Sequence, residues 1–156
     1  MEQSRAAAEA VRLDGFGAFR NDDVMASQAS LPSPGTLFEA AGRLVADSVA
    51  GERVEVAAFA YCDRAGRVLG IRHARGAVSD AVNLPVRRVA IDALSLDAAV
   101  VVMAHNHPRG EALPSRADRD ATRRLADALR ALGVRLHEHL VVGASGAWSF
   151  RGAGLL

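Results

Sequence analysis

Two histidines, His105 and His107, stand one residue apart at the end of an apolar run of strand length, Ala99 to Ala104. In an extended chain residues i and i+2 share a face, so both imidazoles can converge on one metal ion. Ser115 follows after seven intervening residues and Asp118 after two more, at what reads as the start of a helix. Two neutral imidazoles, one carboxylate and an open fourth position form the donor set of a catalytic zinc ion. The pattern H-x-H-x7-S-x2-D therefore reads as a metal centre with His105, His107 and Asp118 as ligands. A competing reading divides it: Ser115 and Asp118 fit a helix capping box, and His-x-His fits a loop after a buried strand. Each of those explains half of the pattern, whereas one metal site explains all four residues. Cap and metal are also compatible, because a helix N-terminus favours nearby anions.

A metal with three protein ligands needs a proton shuttle. Glu55 interrupts the apolar stretch VEVAAFAYC, where a carboxylate facing the core requires a partner. It reads equally well as a solvent-facing residue at a strand start. Glu111, in the linker between the ligands, is its competitor. His137 and His139 flank Glu138, but nothing at helical or strand spacing completes a second centre, so both read as strand-edge residues.

The elements that must hold these residues follow from the hydrophobic period. A helix-start signal at Ser33-Pro34-Gly35 precedes Leu37, Ala41, Leu44, Val45 and Val49 on one helical face. From Arg53 to Cys62 the chain reads as a strand, and a turn at Asp63-Arg64-Ala65-Gly66 leads into RVLGIRH, predicting an antiparallel hairpin. A short strand is expected over Ala81 to Leu84. A helix over Arg87 to Leu96 would bury Val89, Ala90, Ala93 and Leu94 and deliver the chain to the histidine-bearing strand. After Ser115 a second strong helix places Ala117, Ala121, Leu125, Ala128, Leu129 and Leu132 on one side, with Gly133 as its stop. Strands over Leu136 to Val142 and Trp148 to Phe150 close the series. Residues 1–32 are expected to form a partly irregular arm with a short helix over Glu2 to Val11, and 33–156 a single domain. The fold class is α/β, a mixed sheet with helices on both faces.

At 156 residues, half of them hydrophobic, the chain can bury a core without disulfides. A net charge of +1 makes no electrostatic case for nucleic acid. All 19 basic residues are arginine, which excludes Schiff-base lysine chemistry. The lone Cys62 excludes an internal disulfide and any multi-cysteine metal site, and suits a reducing compartment. No run approaches the roughly 20 residues of a membrane span, so the expected location is the cytoplasm.

HNHPRG followed by LPSRAD, with LHEHLVVG and WSF behind them, resembles the JAB/MPN+ (JAMM) metallopeptidase domain, and within it the bacterial RadC-type branch. The resemblance implies a three-layer, cytidine deaminase-like fold. It implies Zn2+ bound by His105, His107 and Asp118, with Ser115 stabilising the tetrahedral intermediate. The family's acid/base glutamate lies eight residues before an aspartate that opens a hairpin, and Glu55 stands eight before Asp63. The implied activity is hydrolysis of peptide or isopeptide bonds through a metal-activated water, acting on a protein or peptide substrate. Two departures are visible: Arg109 stands where the usual motif reads HNHPSG, and Glu138 where an aspartate is common. RadC-type proteins often carry a helix-hairpin-helix DNA-binding segment, for which about thirty preceding residues leave no room. A DNA-associated accessory protein and a non-catalytic, metal-stabilised interaction module stand as alternatives; the intact Glu55 is the discriminating feature, since a purely structural zinc needs a fourth protein ligand rather than a base. A zinc nucleoside deaminase is disfavoured, since its H-x-E and P-C-x-x-C elements are absent.

Overall fold

The computed structural model describes residues 34–76 and 84–156. The arm and helix expected within residues 1–32, and all but Leu84 of the strand expected over 81–84, lie outside the described residues.

Within them the chain runs α1 (Pro34–Val49), β1 (Val56–Cys62), β2 (Val68–Arg75), α2 (Val86–Ser95), β3 (Val100–Asn106), α3 (Arg116–Ala131), β4 (Arg135–Gly143) and β5 (Gly146–Ser149). The strands form one sheet in the order β2-β1-β3-β4-β5, with β3 and β4 parallel and the other neighbours antiparallel. β1 and β3 are buried along their whole length, which explains why both read as unbroken apolar runs rather than alternating ones. Ala57, Phe59, Tyr61, Val101 and Met103 face one layer with Val89 and Ala93 of α2 and Leu125 and Leu129 of α3. Val56, Ala58, Ala60, Val102 and Ala104 face the other with Phe38, Ala41, Val45 and Val49 of α1. The result is the expected three-layer α/β fold with helices on both faces. Each fully buried valine of α1 contributes about 1.5–3 kcal/mol by leaving water. No helix among the described residues is long and apolar enough to cross a membrane.

Two helices bury different residues from those the period predicts. In α2, Leu94 is 57% exposed while Asp92 is buried beside Val89 and Ala93. Asp92 is tolerated there because Arg88, one turn earlier, and Arg72 of β2 approach its carboxylate at 3.2 and 3.7 Å. In α3, Thr122 is buried, while Leu132, just past its C-terminal end, is exposed. The stop at Gly133 is as expected, with the residue in the left-handed region at φ 75°.

β4 is not at the sheet edge, as the two histidines had suggested, but inside it between β3 and β5. Its register against β3 steps from Val101↔Leu136 to Val102↔Glu138, so His137 is one extra residue in the strand. A bulge of this kind resets the alternation of side chains. Leu136 joins the core layer under α3, and His139, three residues on instead of two, faces that same layer, where Thr122 meets its ring. His137 turns to the opposite face, its ring 4.5 Å from that of Phe38 in α1.

Candidate metal centre

His105 is the penultimate residue of β3 and is fully buried, and His107 follows just after the strand, half-buried. Asp118 sits in the first turn of α3 and is 4% exposed. The structure brings the three together. Nε2 of His105 lies 3.1 Å from Nε2 of His107, and the two nitrogens lie 3.4 and 3.5 Å from Oδ1 and Oδ2 of Asp118. Two ligands about 2.0 Å from a tetrahedral ion lie about 3.3 Å from each other, so this donor spacing fits such an ion.

His107 and Asp118 are each held in place by a nearby backbone group. His107 Nδ1 donates to the carbonyl of Glu111 at 2.9 Å, which leaves the lone pair on Nε2. The loop carrying that carbonyl is pressed against the end of β4 at Gly143, where a Cβ would overlap Ala112 N and Glu111 C. Ser115 and Asp118 form the capping box: Asp118 N donates to Ser115 Oγ at 3.1 Å, and Ser115 N donates to Asp118 Oδ2 at 2.7 Å. Cap and ligand are thus one arrangement, since the bond that caps the helix also turns the carboxylate toward the histidines. Burial pushes His105 down to about 4, against the pull of Asp118 and with a smaller push from His107. The ring is therefore neutral at pH 7, the form that binds a metal.

Glu55 is not inside β1, as the apolar run suggested, but is the last residue before it. It is half-buried, and its Oε2 is shielded from solvent with no hydrogen-bond partner among the described residues. Burial pushes its carboxyl above the usual carboxylate range; His107 opposes that rise and Asp118 adds to it. Glu55, His107, Ser115 and Asp118 all line one open cleft of about 870 Å³, with Arg53, Arg109 and Glu111 on the same walls. The structure thus places the five expected residues around one centre, with His105 beneath it.

Three residues of this site were not anticipated. Asn106, between the histidines, accepts from Val56 N at 2.7 Å and donates to the carbonyls of Glu52 and Val54, each at 3.0 Å. It therefore fastens the segment that carries Glu55 to the strand that carries His105. An amide at the end of an otherwise apolar strand was the available signal. His139 and Thr122 lie behind His105, with His139 Nε2 2.7 Å from His105 Nδ1 and its Nδ1 2.7 Å from Thr122 Oγ1.

A three-layer α/β domain with a buried His-His-Asp cluster and a carboxylate beside one cleft defines the class to which comparison can be made. A family model described as RadC-like JAB domain matches residues 36–155, and the chain belongs to that family. Among similar proteins, a UPF0758 protein of Ruegeria pomeroyi is 43% identical over 97 residues, covering 62% of this chain and 43% of that protein. A UPF0758 protein of Vibrio cholerae is 39% identical over 97 residues, 62% of this chain and 61% of that one. A UPF0758 protein of Symbiobacterium thermophilum is 50% identical over 70 residues, 45% of this chain and 30% of that one. The matches thus span less than two thirds of the length of each of these relatives.

Proposed function

We propose that this domain is a zinc-dependent hydrolase of peptide or isopeptide bonds, acting on a protein or peptide substrate. One observation carries the reading: Glu55, with a shielded oxygen that accepts no hydrogen bond from the described residues, shares a cleft with the metal donors His107 and Asp118. A metal held only for structure is closed by a fourth protein ligand, whereas a working centre keeps three and opens to substrate. Among the described residues the cluster has three.

His105, His107 and Asp118 would hold the ion. A zinc ion there supplies Lewis acidity, acidifying water toward pKa about 7 and polarising the scissile carbonyl. Glu55 takes a proton from the attacking water and returns it to the leaving amine. Ser115 meets the oxygen on which charge develops. Its cap role uses the hydroxyl only as an acceptor, so the hydroxyl proton remains to be donated.

The metal and the hydrolysis are tested together. Reconstituted protein is expected to hold about one zinc per chain by elemental analysis, as a three-donor site implies, and His107→Ala to lose most of it. Mass spectrometry of a peptide library incubated with the zinc-loaded protein should show cleavage that stops on chelation and returns with zinc. Failure to take up metal, or an intact library, would remove this reading.

A further inference from the structure

Behind His105 the hydrogen bonds form a line whose protons can be counted. Thr122 Oγ1 lies 2.6 Å from the carbonyl oxygen of Asp118, which can only accept, so the hydroxyl proton lies in that bond. The same Oγ1 lies 2.7 Å from His139 Nδ1 and has only lone pairs left to offer, so His139 donates from Nδ1. The His139 ring stacks on Phe150 at 4.4 Å and 3°, is 2% exposed and has no carboxylate bonded to it among the described residues. A charged ring in that place would be uncompensated, so it is neutral and carries a single N–H. Its Nε2 then accepts, and the proton of the 2.7 Å contact with His105 belongs to His105 Nδ1. One tautomer of His105 remains, with its lone pair on Nε2, the atom that faces His107 and Asp118.

We infer that Thr122 and His139 are positioning residues that set the tautomer and the turn of His105, so that Nε2 is presented as a metal donor. The inference rests on the metal-site reading above. The relay begins on the backbone of Asp118 and ends on the ring of His105, so it joins the ligand on α3 to the ligand on β3. His107 needs no such relay, because the carbonyl of Glu111 fixes its tautomer directly. Partners of this kind change metal affinity by roughly 10- to 100-fold when removed.

The experiment compares Thr122→Val, which keeps the shape and deletes the hydroxyl, with Thr122→Ser, which restores the hydroxyl, and with His139→Phe. Zinc affinity is read by competition with a chromophoric chelator, and histidine tautomers by long-range nitrogen–proton NMR on metal-free protein. Wild-type His105 should be protonated on Nδ1 alone. Thr122→Val and His139→Phe should bind zinc roughly 10- to 100-fold more weakly. In Thr122→Val the His105 ring should also populate the form protonated on Nε2, and Thr122→Ser should return both readouts to the wild type. An Nε2 proton on wild-type His105, or unchanged zinc affinity in Thr122→Val, would overturn the inference. Should His139→Phe fail to fold, the threonine pair and the wild-type spectrum still decide. Should wild-type protein bind no zinc, the metal-site reading fails, while the tautomer readout separately tests the relay.

Discussion

Glu55→Gln should retain its zinc and lose roughly 10²- to 10⁴-fold in turnover on any peptide the wild type cleaves. Glutamine keeps the shape of the side chain but cannot take up and return a proton. The change is structurally mild because Oε2 accepts no hydrogen bond from the described residues. The segment is held instead by Asn106, through the backbone of Glu52, Val54 and Val56. The loss corresponds to about 3–5 kcal/mol of barrier, too large to arise from a small shift of the cleft wall. Zinc content and turnover must therefore be measured on the same preparation. If zinc falls along with activity, Glu55 is a ligand or a support and not the base. Unchanged turnover would transfer the role to Glu111, which lines the same cleft. A variant that binds substrate without releasing product would also serve as bait for the physiological substrate.

Ser115→Gly separates two roles that alanine would confound. As an N-cap, Ser115 accepts from Asp118 N, and its own backbone N–H orients Asp118 Oδ2. Glycine deletes the hydroxyl but keeps that backbone N–H, and at an N-cap it costs only a few tenths of a kcal/mol, against about 1 for alanine. Losing one preorganised donor to the developing oxyanion slows catalysis by roughly 10² to 10³. Ser115→Gly should therefore melt near the wild type, hold zinc and be almost inactive. Normal turnover in Ser115→Gly, with Ser115→Ala merely less stable, would leave the serine as a cap alone.

The parts of the centre that could be read in advance are those set by local chain geometry. His-x-His at a strand end and Ser-x-x-Asp at a helix start each depend on a few consecutive residues, and so does the apolar run that buries β3. The residues that escaped notice depend on contacts across the sheet. Asn106 bonds to residues 50 to 54 positions away in the chain, which no period reveals. Asp92 is buried because Arg72, from another element, approaches it. The expected strand starts three residues before β1 and so encloses Glu55, because an apolar run marks burial but not where pairing with a neighbouring strand begins. His139 was misjudged for a subtler reason. Regular alternation from Leu136 would put it on the other face of the sheet, and only the pairing register with β3 discloses the extra residue that brings it round.

That extra residue has a consequence in terms of chain length. Substitutions leave the facing of β4 unchanged, whereas insertions and deletions do not, and this strand carries one residue to spare. Deleting His137 alone leaves Leu136 and His139 two positions apart, the ordinary spacing of one face, so His139 should stay under His105. The ring contact with Phe38 is lost. Deleting His137 together with Glu138 makes Leu136 and His139 adjacent, and so turns His139 toward α1. The single deletion should keep zinc near wild-type affinity, and the double deletion should weaken it at least as much as His139→Phe. If the single deletion loses zinc as the double does, the facing of His139 is not what the bulge controls. Otherwise β4 can lose one residue at this point in evolution without disturbing the centre, a latitude that β3, which carries His105 itself and has no such extra residue against β1, does not share.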